Sequence, residues 1–103
     1  MNSETLKNSL EKASGPAPSE LSPEQQVLWL AKAGDWHGAH DIAQDLPDPH
    51  GSWLHAHLHR QEGDLGNAAY WYHRADRPTP DPATSIEAEW KTLVSFFCSS
   101  EKP

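Results

Sequence analysis

Apolar residues recur along this chain in short helical stripes, each bounded by a capping residue, a glycine or a proline. Leu6, Leu10 and Ala13 stand four and three apart, enough for about two turns of amphipathic helix before Gly15-Pro16-Ala17-Pro18 stops it. Ser22-Pro23-Glu24-Gln25 then opens a stronger helix, with Ser22 as N-cap, Pro23 in the first turn and Gln25 closing a capping box. Its apolar face is Val27, Leu28, Leu30 and Ala31, with Trp29 beside it, and Gly34 ends it in a left-handed cap. Asp35 caps a second helix bearing Trp36, Ala39, His40, Ala43 and Leu46, which runs to Leu46-Pro47. Asp48-Pro49 repeats the cap-and-proline signal for a third helix, carrying Trp53, Leu54, Ala56, His57 and Leu58 and closed by Gly63. Asp64 caps a fourth, with Leu65, Ala68, Ala69, Tyr72 and Ala75 on its apolar side. The alternating prolines of Arg77-Pro78-Thr79-Pro80-Asp81-Pro82 favour an extended course. Thr84 with Glu87 predicts a capping box for a last helix, whose stripe Trp90, Leu93, Val94 and Phe97 has the spacing of one buried face.

The expectation is an all-α fold. Residues 1–21 form a weakly ordered N-terminal segment with at most a short helix, 22–98 the helical domain, and 99–103 a tail. Two antiparallel helical hairpins are followed by a C-terminal helix that closes the stack.

A shift of 29 residues brings Gly34-Asp35 onto Gly63-Asp64, Ala39 onto Ala68 and Trp29 onto Leu58. Gly63-Asp64, Ala68, Tyr72, Ala75 and Pro80 resemble the turn, alanine, aromatic, alanine and proline of tetratricopeptide and Sel1-like repeats, and Ala56 matches the small residue of the first helix. The first hairpin departs from that pattern, with Ala43 and Leu46 where the aromatic and second alanine would stand. The stretch from Trp53 to Ala75 also resembles small bacterial proteins with a W-x-H-A-x-L-H-R-x-E-G-D string, a resemblance that implies no activity. The repeat resemblance implies a concave face lined by the first helix of each hairpin. Carried onto this chain, that face holds Leu21, Glu24, Leu28, Ala31 and Lys32, then His50, Trp53, His57 and Arg60.

Composition narrows the partners. With 103 residues there is room for one domain, and five tryptophans compensate for an apolar content of 36%. A formal net charge of −7 argues against nucleic acid or an anionic membrane. The N-terminus has no basic and apolar leader pattern, and no apolar run approaches the ~20 residues of a membrane span. The single Cys98 excludes an internal disulfide, fits a reducing compartment and follows Phe96-Phe97 as a small apolar packing residue. A cytoplasmic location follows as the expectation.

Two functional readings remain. Leu28, Lys32, His50, Trp53, His57 and Arg60 could form a partner-binding groove for a protein or peptide, because tryptophan and arginine dominate interface energetics. In that reading the chain is a non-catalytic interaction module, needs no cofactor, and could fill its groove with a second copy as a homo-oligomer. The alternative rests on His55 and His59, at i and i+4 on one helix face, with His40 on the preceding helix. Three imidazoles converging there could hold zinc, either as a metal-binding protein or as a metal-dependent enzyme. The same histidines would also serve as a hydrogen-bonded buried cluster. No H-E-x-x-H and no G-x-S-x-G is present, and Gly63-Asp64-Leu65-Gly66 is explained as a turn rather than a phosphate loop. Catalysis has no motif behind it.

Overall fold

A computed structural model describes residues 3–98, and all of their regular structure is helical. In chain order the helices are α1 (Ser3–Glu11), α2 (Pro23–Ala33), α3 (Trp36–Ala43), α4 (His50–Gln61), α5 (Leu65–Arg74) and α6 (Ile86–Cys98). The expected tail, 99–103, lies outside the described residues. No helix among them is long and apolar enough to cross a membrane.

Local chemistry sets most of the boundaries. Ser22 Oγ accepts from the Gln25 amide at 3.1 Å, and Gln25 Oε1 accepts from the Ser22 amide at 3.0 Å, so the capping box is complete. Gly34 and Gly63 take φ of +92° and +90°, which glycine adopts without steric cost. Asp35 then donates its amide to Leu30 O, and Asp64 donates to His59 O, each at 2.9 Å. Both aspartates cap the following helix, Asp35 accepting from Gly38 N and Asp64 from Asn67 N. The two turns are therefore built the same way, 29 residues apart.

Three boundaries differ from expectation, each because another partner wins. Helix α3 ends at Ala43 rather than Leu46, since the amides of Asp45 and Leu46 turn back to Ile42 O and Ala43 O in tighter i to i+3 bonds. Asp48 is not the N-cap of α4: Pro49 occupies that position across a cis Asp48–Pro49 peptide, and the Asp48 carboxylate takes the Ser52 hydroxyl and the Arg74 guanidinium. Ser85, not Thr84, supplies the cap of α6, its hydroxyl accepting from Ala88 N at 2.9 Å.

Helix α2 packs against α3 and α4 against α5, while α4 also touches α2, α3 and α6. This central position buries nine consecutive residues of α4, Gly51 to His59. Leu10, Leu28, Leu54, Leu58 and Leu93 are fully buried around it, so α1 contributes Leu10 to the shared core. Helix α6 contacts α1, α2 and α4, and Trp90 Nε1 donates to Leu28 O at 3.0 Å. Leu65, placed on an apolar face by its spacing, is instead 66% exposed.

Burial on all sides carries a requirement. A helix surrounded by protein must find partners for every polar side chain it bears, because an unpaired buried polar group is costly. His55, His57 and His59 all lie in the buried run of α4. Where their nitrogens point defines the two polar centres of the molecule.

Candidate metal centre

His55 and His59, one turn apart, present parallel rings with centroids 4.9 Å apart toward α3. His40 enters from α3 and brings its Nε2 to 2.9 Å from His55 Nε2. One ligand nitrogen from each of His40, His55 and His59 lies within 4.8 Å of the others. The spacing of the two α4 histidines and the position of His40 on the preceding helix thus bring together the three residues expected to converge.

Aromatic neighbours hold the rings. Trp71 stacks on His55 at 3.9 Å between centroids with planes 12° apart, and Trp36 stacks on His40 at 4.9 Å. Trp36 is itself pinned, its Nε1 donating to Leu58 O at 2.7 Å. His59 Nδ1 donates to Glu62 Oε2 at 2.8 Å, which leaves Nε2 as the nitrogen with a lone pair. A carboxylate behind a ring nitrogen is the arrangement that orients histidine ligands and raises their basicity.

Burial and neighbouring charge lower the proton affinity of two of the three, His55 and His40. Burial, then the neighbouring His40, His59 and Arg74, pushes His55 down to about 4 from its ordinary 6.5. Burial and His59 also lower His40. A histidine that stays neutral in the fold takes up its proton first in the unfolded chain. The stability associated with His55 is therefore fully present above pH 6.5 and is lost as pH falls toward about 4. Urea midpoints should fall between about pH 7 and about pH 5, and His55→Gln should shrink that difference. An unchanged pH slope in the variant would contradict this account.

The second polar centre lies on the opposite side of α4. His57 Nδ1 donates to Glu89 Oε1 at 2.8 Å, and the Arg60 guanidinium donates to the same oxygen at 3.1 Å. Tyr72 donates its hydroxyl to Glu89 Oε2, and Arg60 also reaches Thr84 O. His57 Nε2 is buried without a hydrogen-bond partner among the described residues. Burial opposes ionisation of Glu89, but the bonds from His57, Tyr72 and Arg60 outweigh it and hold its carboxyl below the ordinary value. Burial and the Glu89 hydrogen bond push the Tyr72 phenol well above its own. This cluster joins α4, α5, α6 and the proline-rich segment between them.

The residues expected to line a partner groove are distributed differently. Helix α6 lies across that face. Leu28 is wholly buried, His57 is 1% exposed within the Glu89 cluster, and Trp53 packs edge-on against Phe96. Arg77 also covers Trp53, its guanidinium 3.8 Å from the ring centroid. His50 is half-buried, its ring edge-on to both Phe96 and Phe97. Lys32 pairs with Glu87 at 3.3 Å and sits over Trp90, and Arg60 is consumed by Glu89 and Thr84. These six side chains form no common open surface.

Sequence reasoning did not single out Glu62, Glu89, the stacking of Trp71 on His55 or the pair Arg74–Asp48. Glu62 carried a usable signal, three residues after His59 and so on its helical face. No protein-family model, curated protein or solved structure matches the chain.

Proposed function

We propose that this chain is a metal-binding protein that holds a divalent transition-metal ion, zinc, through His40, His55 and His59. The observation that carries the proposal is the convergence of three imidazole nitrogens within 4.8 Å, with no carboxylate among the three. Imidazole suits zinc and its neighbours, whereas magnesium and calcium require oxygen ligands. Tetrahedral zinc at about 2.0–2.1 Å from each nitrogen separates its ligands by roughly 3.3 Å. The His40–His55 pair, at 2.9 Å, needs to open only slightly to fit. Depressed proton affinity helps as well, because a neutral imidazole offers its lone pair without having to release a proton. Three histidines leave a coordination position for solvent or a further ligand, the pattern of open rather than closed zinc sites.

Thermal unfolding with and without zinc tests the reading. At a free zinc concentration about a hundredfold above Kd, the stabilisation is about 2.7 kcal/mol, which raises Tm by roughly 10 °C or more for a domain of this size. His55→Gln and His59→Gln should each abolish the shift. No shift in the wild type, or a shift that survives both substitutions, would leave the trio as a purely structural cluster.

A further inference from the structure

A cavity of about 330 Å³ opens between α3, α4 and α5, lined by Ser52 and His55 of α4, Trp71 and Arg74 of α5, and Gln44 and Asp48 from the turn between α3 and α4. Among the described residues its charged side chains are Asp48 and Arg74, which pair at 2.9 Å on the rim and are each about half exposed. The Ser52 hydroxyl and then Arg74 hold the Asp48 carboxyl below its ordinary value, so it is ionised at neutral pH. His55 adds no charge there, because burial and its neighbours push it down to about 4. The lining therefore offers one positive and one negative group in direct contact.

Neither partner is used up by the other. A carboxylate has about four lone-pair sites, and Asp48 spends one on the Ser52 hydroxyl and one on Arg74. A guanidinium carries several N–H donors in a planar fork, and Arg74 meets Asp48 through Nη2, with Tyr70 engaging it from the same helix. A ligand can therefore lie along the pair without breaking it, if it turns an anion to Arg74 and a cation to Asp48 at a matching separation. In an α-amino acid, ordinary bond lengths and angles put the ammonium nitrogen about 2.7 Å from the nearer carboxylate oxygen. Arg74 Nη2 and Asp48 Oδ2 stand 2.9 Å apart. Laid antiparallel, the two dipoles form an alternating quartet of charges. Such a ligand has no net charge, so the carboxylates of Asp41 and Glu62 near His40 neither select nor reject it to first order.

We propose that this cavity binds a free α-amino acid, its carboxylate on Arg74 and its ammonium on Asp48. The ligand's side chain then enters the cavity, where Gln44 and the Ser52 oxygen supply hydrogen bonds and Trp71 a flat wall. An uncharged polar side chain about the size of glutamine's suits that lining, whereas an acidic or basic one would bring a charge with no partner. The proposal does not rest on the metal-binding reading, since nothing in it uses a metal ion.

Isothermal titration of the full chain, stripped of metal by chelation and dialysis, tests this with L-glutamine as the probe. Saturable binding of one molecule per chain is expected. L-Glutaminamide, which lacks the carboxylate, and N-acetyl-L-glutamine, which lacks the ammonium, should each bind about tenfold more weakly through loss of one charge-assisted contact. Arg74→Gln should weaken L-glutamine about tenfold and erase its advantage over the amide. Asp48→Asn should erase its advantage over the acetylated form. Both side chains are half exposed, so both variants should stay folded, which their thermal melts check. Absence of saturable L-glutamine binding in the millimolar range overturns the inference. So does a preference for L-glutamine over its amide that survives in Arg74→Gln, or over the acetylated form that survives in Asp48→Asn. Each of these outcomes leaves the zinc test untouched.

Discussion

Replacing Glu89 by alanine is expected to destabilise the fold by about 3–5 kcal/mol, the usual cost of removing one partner from a buried ion pair. The carboxylate is 6% exposed and accepts from three side chains on two other helices, α4 and α5. Its loss leaves the Arg60 guanidinium, at 11% side-chain exposure, without its counter-charge. It also leaves His57 Nδ1 and the Tyr72 hydroxyl without acceptors in a site closed to solvent. A domain of this length has roughly 5–15 kcal/mol of stability in total, so this one change removes a large share of it. Tyr72→Phe is the informative companion. It deletes one donor and its own need for a partner together, and should cost only about 1 kcal/mol. Urea unfolding of both variants reads the difference. A loss below about 1 kcal/mol for Glu89→Ala would mean that the cluster is not what binds α6 to the rest.

Glu89 also shows where sequence reading stops. Ser22, the Gly34-Asp35 turn and the Gly63-Asp64 turn were legible because each is decided by atoms within about five residues of chain. The His55–His59 pair was legible for the same reason, and His40 followed from its place on the preceding helix. Asp48 and Thr84 misled because a neighbour takes the cap position, Pro49 at α4 and Ser85 at α6, while contacts from distant helices are added to each. Asp48 is claimed by Arg74 from α5, and the Thr84 carbonyl by Arg60 from α4. The expected groove failed to open for a related reason. Whether Trp53, His57 and Arg60 are open or covered depends on where α6 lands, and that is decided by the course of the segment from Arg77 to Ser85. Nothing in the spacing of α4 announces that a glutamate 32 residues after His57 will meet it. The same holds for Trp71 on His55, since a stripe of aromatics shows which side chains are large without showing what they stack on.

Two glycines near the starts of adjacent helices should respond to the same substitution with opposite sign. In a helix interior alanine is favoured over glycine by about 1 kcal/mol, because it restricts the unfolded chain and suits the helical backbone. Gly66, second in α5, has nothing within 4 Å of where a Cβ would stand. Gly66→Ala should therefore stabilise by about 0.5–1 kcal/mol. Gly51, second in α4, lies against the turn that enters its own helix. A Cβ there would stand 2.8 Å from the Leu46 carbonyl carbon, and nearer still to its oxygen. That neighbour is backbone, and it has little freedom to retreat. Pro47 O accepts the Gly51 amide at 2.9 Å, and Asp48 is tied to Ser52 and Arg74. Gly51→Ala should thus destabilise by about 1–3 kcal/mol, the typical cost of overpacking, despite the better helix propensity of alanine. The displaced turn carries Asp48, so its ion pair with Arg74 should loosen as well. His55 and His59, one and two turns further along α4, are anchored by Trp71 and Glu62, and zinc affinity should change little. Equal and stabilising responses at the two glycines would show that the turn before α4 yields freely.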